Sequence, residues 1–149
     1  MKEFASFSFS TVPQLISETG AARQLGQHIA ARFPSARRAL LVTDPGFLAT
    51  GLVEAPMHDL EKHNIAVHLY SDVVADPPEA VVQHAVAFAR KRDIDIVIGL
   101  GGGSSMDVAK LIAVLAAGDQ PLKQIYGIGN VKGERLPLVQ VPTTAGTGS

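Results

Sequence analysis

The chain has no cysteine. That excludes a disulfide scaffold, a cysteine-ligated metal and a thiol nucleophile, and it is compatible with a cytoplasmic location. Charge of one sign is also missing: 13 basic against 14 acidic residues leave a formal charge of −1, so there is no electrostatic case for nucleic acid or for an anionic membrane as partner. Long apolar runs are absent. The longest candidate, Leu111 to Ala117, is preceded by Lys110 and ended by Gly118-Asp119, well short of the ~18 residues that span a bilayer. The N-terminus, Met1-Lys2-Glu3-Phe4-Ala5-Ser6, lacks the apolar core of a signal peptide. What is present, 149 residues at 46% hydrophobic and 18% charged, suits one domain with a real core.

Apolar spacing and turn residues divide the chain into alternating strands and helices. Phe4 to Ser10 alternates weakly as a strand. Gly20 to Phe33 has near-helical spacing and stops at Pro34. Ala39 to Thr43 reads as a buried strand, followed by an Asp44-Pro45-Gly46 turn and one helical stretch from Phe47 to about Lys62, with Pro56 as its kink. Ile65 to Tyr70 is a further strand. Asp76-Pro77-Pro78-Glu79 reads as a helix start with Asp76 at the N-cap and Glu79 at N3. Val82, Ala85, Val86 and Ala89 then form one apolar stripe, and Arg90-Lys91-Arg92 sits where the helix dipole favours positive charge. Ile94 to Leu100 is a strand, Leu111 begins an apolar helical run, and Leu138 to Val141 is a last short strand. Strands alternating with helices imply a mostly parallel sheet with helices on both faces. Ligands in such folds bind beyond the carboxyl ends of the strands. The turns at Asp44, Asp76, Gly101 to Ser104 and Thr143-Thr144 all fall there.

The turn Gly101-Gly102-Gly103-Ser104-Ser105-Met106-Asp107-Val108-Ala109-Lys110 carries the most information. A strand, a tight glycine turn and a helix aim bare backbone N–H groups at one point, a ready site for phosphate. A purely structural alternative stays open, in which Ser104 caps the helix and Asp107 completes a variant capping box. The spacing is not that of the usual dinucleotide fingerprint. There is no Gly-x-Gly-x-x-Gly, and the acidic residue, Asp44, comes before the glycine turn.

These residues resemble the iron-containing (group III) alcohol dehydrogenases, within the dehydroquinate synthase-like group. Gly101 to Lys110 is similar to that family's glycine-rich signature, Pro142-Thr143-Thr144-Ala145-Gly146-Thr147-Gly148-Ser149 to its second signature, and Val42-Thr43-Asp44 to the end of its acidic strand. The resemblance implies a Rossmann-like N-terminal α/β domain over residues 1–149 that binds NAD(P). It also implies an all-helical domain, absent from this chain, that holds a divalent metal, Fe(II) or Zn(II). Because the chain stops inside the second signature, a fragment of a two-domain enzyme is expected, with no dehydrogenase activity alone.

The resemblance further implies that Gly101, Gly102, Gly103 and Ser104 cradle the pyrophosphate and that Asp107 lies on the nicotinamide-ribose side. Asp44 would accept from the adenosine ribose hydroxyls and repel a 2′-phosphate, favouring NAD over NADP. Thr143, Thr144 and Thr147 would line the adenine and ribose pocket. Asp76-Pro77 stands where the family commonly has Asn-Pro. Plainer roles stay open beside these: Asp44 as a turn residue, Asp107 as a helix-start carboxylate, the threonines as turn caps. No catalytic residue is expected in this chain, and His28, His58, His63, His68 and His84 read as surface or packing residues. The implied reaction is hydride transfer between a small alcohol or aldehyde and NAD, in a homodimer or larger homo-oligomer. A glycerol dehydrogenase or dehydroquinate synthase-like relative, or a non-catalytic nucleotide-binding module, are the alternatives.

Overall fold

A computed structural model describes residues 11–145. The expected strand at Phe4 to Ser10 lies outside them. Four strands, β1 (Arg38–Val42), β2 (Ala66–Tyr70), β3 (Ile96–Gly101) and β4 (Leu138–Pro142), form one sheet in the order β2-β1-β3-β4, and every pair is parallel. Among the described residues, α1 (Leu25–Arg32) precedes β1, α2 (Pro45–Leu48) and α3 (Glu54–Lys62) connect β1 to β2, α4 (Glu79–Lys91) connects β2 to β3, and α5 (Gly103–Leu115) connects β3 to β4. Parallel pairing demands crossovers, and the crossovers cover both faces of the sheet.

The two faces make two cores. Leu40, Val42 and Val97 pack with Val82, Ala85, Val86 and Ala89 of α4 and with Val108, Ala109 and Ile112 of α5. Ala39, Leu41, Ile96, Ile98 and Leu100 pack on the other side with Leu25 and Ile29 of α1 and Leu60 of α3. The period of two along β1 sends alternate side chains to opposite cores. β3 is buried along its whole length, as an interior parallel strand covered on both faces must be. No helix is long and apolar enough to cross a membrane among the described residues.

Three local expectations are corrected. The stretch from Phe47 to Lys62 is two helices, not one kinked at Pro56. The chain breaks between Leu48 and Glu54, where Gly51 has φ +72° and Thr50 Oγ1 donates to the Phe47 carbonyl at 2.6 Å. Pro56 instead sits in the first turn of α3, where its missing N–H has no helical acceptor to lose. Asp76 does not cap α4. It has φ +46°, and the N-cap is Pro78 with Glu79 as the first helical residue. The cause is Pro78, whose ring bars Pro77 from helical geometry and delays the helix. Finally, Ser104 and Asp107 form no capping box. The N-cap of α5 is Gly102, which puts Ser104 in the second helical position.

On the β1/β3 side opposite α5, helices α1 and α3 touch backbone to backbone. A Cβ added at Gly26 would lie 2.2 Å from the Asp59 carbonyl oxygen, and the Gln27 N–H donates to the Asp59 carboxylate beside it at 3.1 Å. Gly26→Ala therefore must push the two helices apart. We expect it to lower stability by about 1–3 kcal/mol, read as a shift of the urea midpoint, whereas Gly118→Ala, at a position with open space around it, should move it far less.

Candidate functional site

Register brings the strand ends level. Val42 of β1 pairs with Gly99 of β3, and Gly101 pairs with Pro142 of β4, so Asp44, Gly101 and Thr143 emerge along one rim. The Thr143 N–H donates to the Gly101 carbonyl at 3.0 Å, which fixes the start of the last loop against the glycine turn.

The turn itself is sharp. Gly101 has φ +150°, Gly102 is the extended N-cap, and α5 begins at once with Gly103. No side chain caps this helix among the described residues. The N–H groups of Gly103, Ser104 and Ser105, in the first turn, have no intrahelical acceptor and carry the positive end of the helix dipole. α5 is held from the strand side by Gln140, whose Nε2 donates to the Met106 carbonyl at 2.9 Å across the space left by Gly99.

Asp44 faces this turn from β1. Its Oδ1 accepts from the Phe47 N–H at 2.9 Å and caps α2. Its Oδ2 accepts from Ser105 Oγ at 3.4 Å. An open cleft of about 440 Å³ lies between: Asp44 and the backbone of Gly102 to Ser105 form its polar side, and Pro45, Val73, Val74 and Ala75 its apolar side. A concavity that pairs a helix N-terminus with an apolar wall can seat an anionic group joined to a flat or aliphatic one.

The expected site residues divide accordingly. Asp44, Gly102, Gly103 and Ser104 line the cleft, and Gly101 is buried directly beneath it. Asp107 stands one turn further along α5, exposed, and accepts from Lys110 Nζ at 3.0 Å; it does not line the cleft. Thr143 and Thr144 are exposed at the end of β4, with Thr144 Cγ2 3.7 Å from where a Gly102 Cβ would sit. Thr147 lies outside the described residues. Asp76 is exposed and leaves the wall to Val73, Val74 and Ala75. Sequence reasoning passed over Ser105. Its signal was a hydroxyl on the stripe Ser105, Val108, Ala109, Ile112, the helical spacing of a buried face.

A second concavity, about 380 Å³, opens at the other end of the sheet beside Arg38, Arg90, Asp93 and Asp95. Its polar groups are spent on the fold: Arg90 donates to the Leu115 and Gly118 carbonyls, Arg38 Nε to the Asp93 carbonyl, and Asp95 accepts from the Arg37 and Arg38 N–H groups. No group of three His, Asp or Glu side chains is arranged to hold a metal ion among the described residues.

The glycine turn yields a test. A Cβ at Gly101 would lie 2.8 Å from Ser105 Oγ and 3.3 Å from Asp44 Oδ2, at a φ that side chains rarely adopt. Gly101→Ala should cost about 1–3 kcal/mol from backbone strain alone, with a lowered thermal midpoint as the measurement.

Residues 13–149 match the family model for iron-containing alcohol dehydrogenases. Among curated proteins, the chain is 43% identical over 117 residues to long-chain-alcohol dehydrogenase 1 of Geobacillus thermodenitrificans, covering 76% of this chain and 30% of that protein. Among solved structures, the NADH-dependent butanol dehydrogenase A of Thermotoga maritima superposes with a TM-score of 0.81 at 27% identity, covering 93% of this chain and 34% of that one. The sulfoacetaldehyde reductase of Bifidobacterium kashiwanohense in complex with NAD+ superposes with a TM-score of 0.72 at 27% identity, covering 88% and 34%. The chain thus spans about a third of the length of these relatives.

Proposed function

The chain belongs to the iron-containing alcohol dehydrogenase family, and from that premise we propose that residues 1–149 form the NAD-binding α/β domain of a metal-dependent alcohol dehydrogenase. The observation that carries this is the uncapped N-terminus of α5 opening into a cleft beside Asp44.

The residues present fit a dinucleotide. The N–H groups of Gly103, Ser104 and Ser105 would hold the pyrophosphate, with Gly102 keeping the approach clear. The Asp44 carboxylate would accept from the adenosine ribose hydroxyls, and its charge would repel a 2′-phosphate, so NAD is preferred to NADP. Pro45 and Val74 would shield one flank of the bound nucleotide from water. Asp107 is assigned to the nicotinamide-ribose side, and Thr143, Thr144 and Thr147 to the adenine and ribose pocket; Asp107, though paired with Lys110, and Thr143 and Thr144 are exposed and accessible to a ligand. When bound, the nicotinamide supplies the carbon that accepts or gives up hydride. As the family match implies, Fe(II) or Zn(II) is assigned to the portion of the family's length that this chain does not span. The substrate would be a small alcohol or aldehyde, and the assembly a cytoplasmic homodimer or larger homo-oligomer.

Calorimetric titration with NAD and NADP in parallel tests the reading. NAD should bind more tightly. Asp44→Ala should narrow the preference by about tenfold or more, as expected when a charge-assisted contact and a like-charge repulsion are removed together. Gly102→Val should abolish binding of both nucleotides while costing about 1 kcal/mol of stability at the N-cap. Binding of neither nucleotide to the unmodified protein would overturn the proposal.

A further inference from the structure

Ser105 is 1% exposed and sits in the third position of α5. A buried hydroxyl needs a partner, and this one reaches across 61 positions of sequence to Asp44 Oδ2. The other carboxylate oxygen is held by the Phe47 N–H. Asp44 is thus gripped from two directions, by its own helix start and by the helix that bears the phosphate cradle. Gly101 lies between the two side chains and leaves the space in which they meet, since a Cβ there would crowd both.

We propose that Ser105 is the positioning residue for cofactor discrimination: its hydroxyl fixes the Asp44 carboxylate in the orientation that accepts a ribose diol and turns away a 2′-phosphate. The proposal rests on the reading of Asp44 given above. With only the Phe47 bond, the carboxylate can rotate about its Cβ–Cγ axis and move Oδ2 off the α5 side of the cleft. With both bonds, the plane of the carboxylate is set, and each oxygen keeps a lone pair for a ligand hydroxyl. At 3.4 Å the contact is longer than the usual O–H···O bond, so its energetic effect is modest. The effect belongs in the ratio of affinities rather than in the melting temperature.

The experiment measures dissociation constants for NAD and NADP in the intact protein for Ser105→Ala and Ser105→Cys, each alone and combined with Asp44→Ala. Cysteine keeps nearly the volume of serine but donates weakly, so it separates loss of the hydrogen bond from loss of packing, and it keeps the test open if the alanine variant folds poorly. The NADP-to-NAD ratio of dissociation constants should fall about threefold to tenfold in both single variants, the size expected for one hydrogen bond of ordinary strength, below the range for a charged partner because the contact is long. In the Asp44→Ala background the same changes should leave the ratio where it is. A parallel loss of affinity for both nucleotides, with the ratio unchanged, would overturn the proposal and leave Ser105 a packing residue. A ratio that shifts equally without Asp44 would overturn it as well. A ratio already insensitive to Asp44→Ala alone would show instead that the reading of Asp44 fails, and the positioning role would fall with it.

Discussion

Gly101 is the constraint on which the rest of the site depends. β3 is an interior strand buried on both faces, so the chain leaving it has no lateral freedom and must turn within two residues to lay α5 over the sheet. At φ +150° only glycine does this without strain. The absence of a side chain there then lets Asp44 and Ser105 approach each other over the turn, and the Gly101 carbonyl remains free to accept the Thr143 N–H from the last strand. One backbone conformation therefore joins β1, β3, β4 and α5 at a single rim.

The cradle at that rim is made of backbone, and backbone is only as well placed as the helix that carries it. α5 is secured along its length. Its apolar stripe is buried against Leu40, Val42 and Val97, Gln140 holds the Met106 carbonyl near the start, and the Leu136 N–H reaches the Ala113 carbonyl near the end. Arg90 of α4 closes the far end by donating to the Leu115 and Gly118 carbonyls, where a cation also complements the dipole. The helix is thus satisfied at its C-terminus and open at its N-terminus, an asymmetry that leaves the unpaired donors facing the cleft. Positioning by packed neighbours of this kind is what lets a binding group act without first paying for its own ordering.

Much of this was legible in the residues. Apolar runs ending before Asp44, at Tyr70, before Gly101 and before Pro142 located all four strand ends, and the stripe Val82, Ala85, Val86, Ala89 located the buried face of α4. Local spacing was less reliable where two signals competed. Asp76 carried the chemistry of a cap, but Pro78 controls the backbone of Pro77 and moved the helix start to Glu79. The spacing from Phe47 to Lys62 read as one helix with Pro56 as its kink, although Gly51 at φ +72° is where the chain divides. Ser104 looked like the cap because serine is a better cap than glycine, yet the turn at Gly101 starts the helix earlier and makes Gly102 the N-cap. The role of Ser105 was hidden for a different reason. Its partner is 61 residues away, and no local pattern encodes that distance.

On the proposed reading, an acidic side chain lies beside a site for a doubly charged pyrophosphate, which is unfavourable unless its charge is compensated. The compensation is visible in the geometry. The Asp44 carboxylate accepts one N–H from the start of α2 and one hydroxyl from the start of α5, so both of its oxygens face groups of positive partial charge. Those donors moderate the field that Asp44 exerts on a pyrophosphate over the α5 N-terminus, yet they cannot shield a second phosphate placed on the ribose, which would meet the carboxylate directly. The same arrangement can therefore tolerate one anion and reject another a few ångströms away. Because the cleft is open to solvent, mobile ions would weaken that rejection, the Debye length being about 8 Å at physiological ionic strength. Discrimination that has to survive such screening must act at contact distance, which is why the orientation of a single carboxylate, rather than the net charge of the surface, is the feature on which cofactor choice would turn.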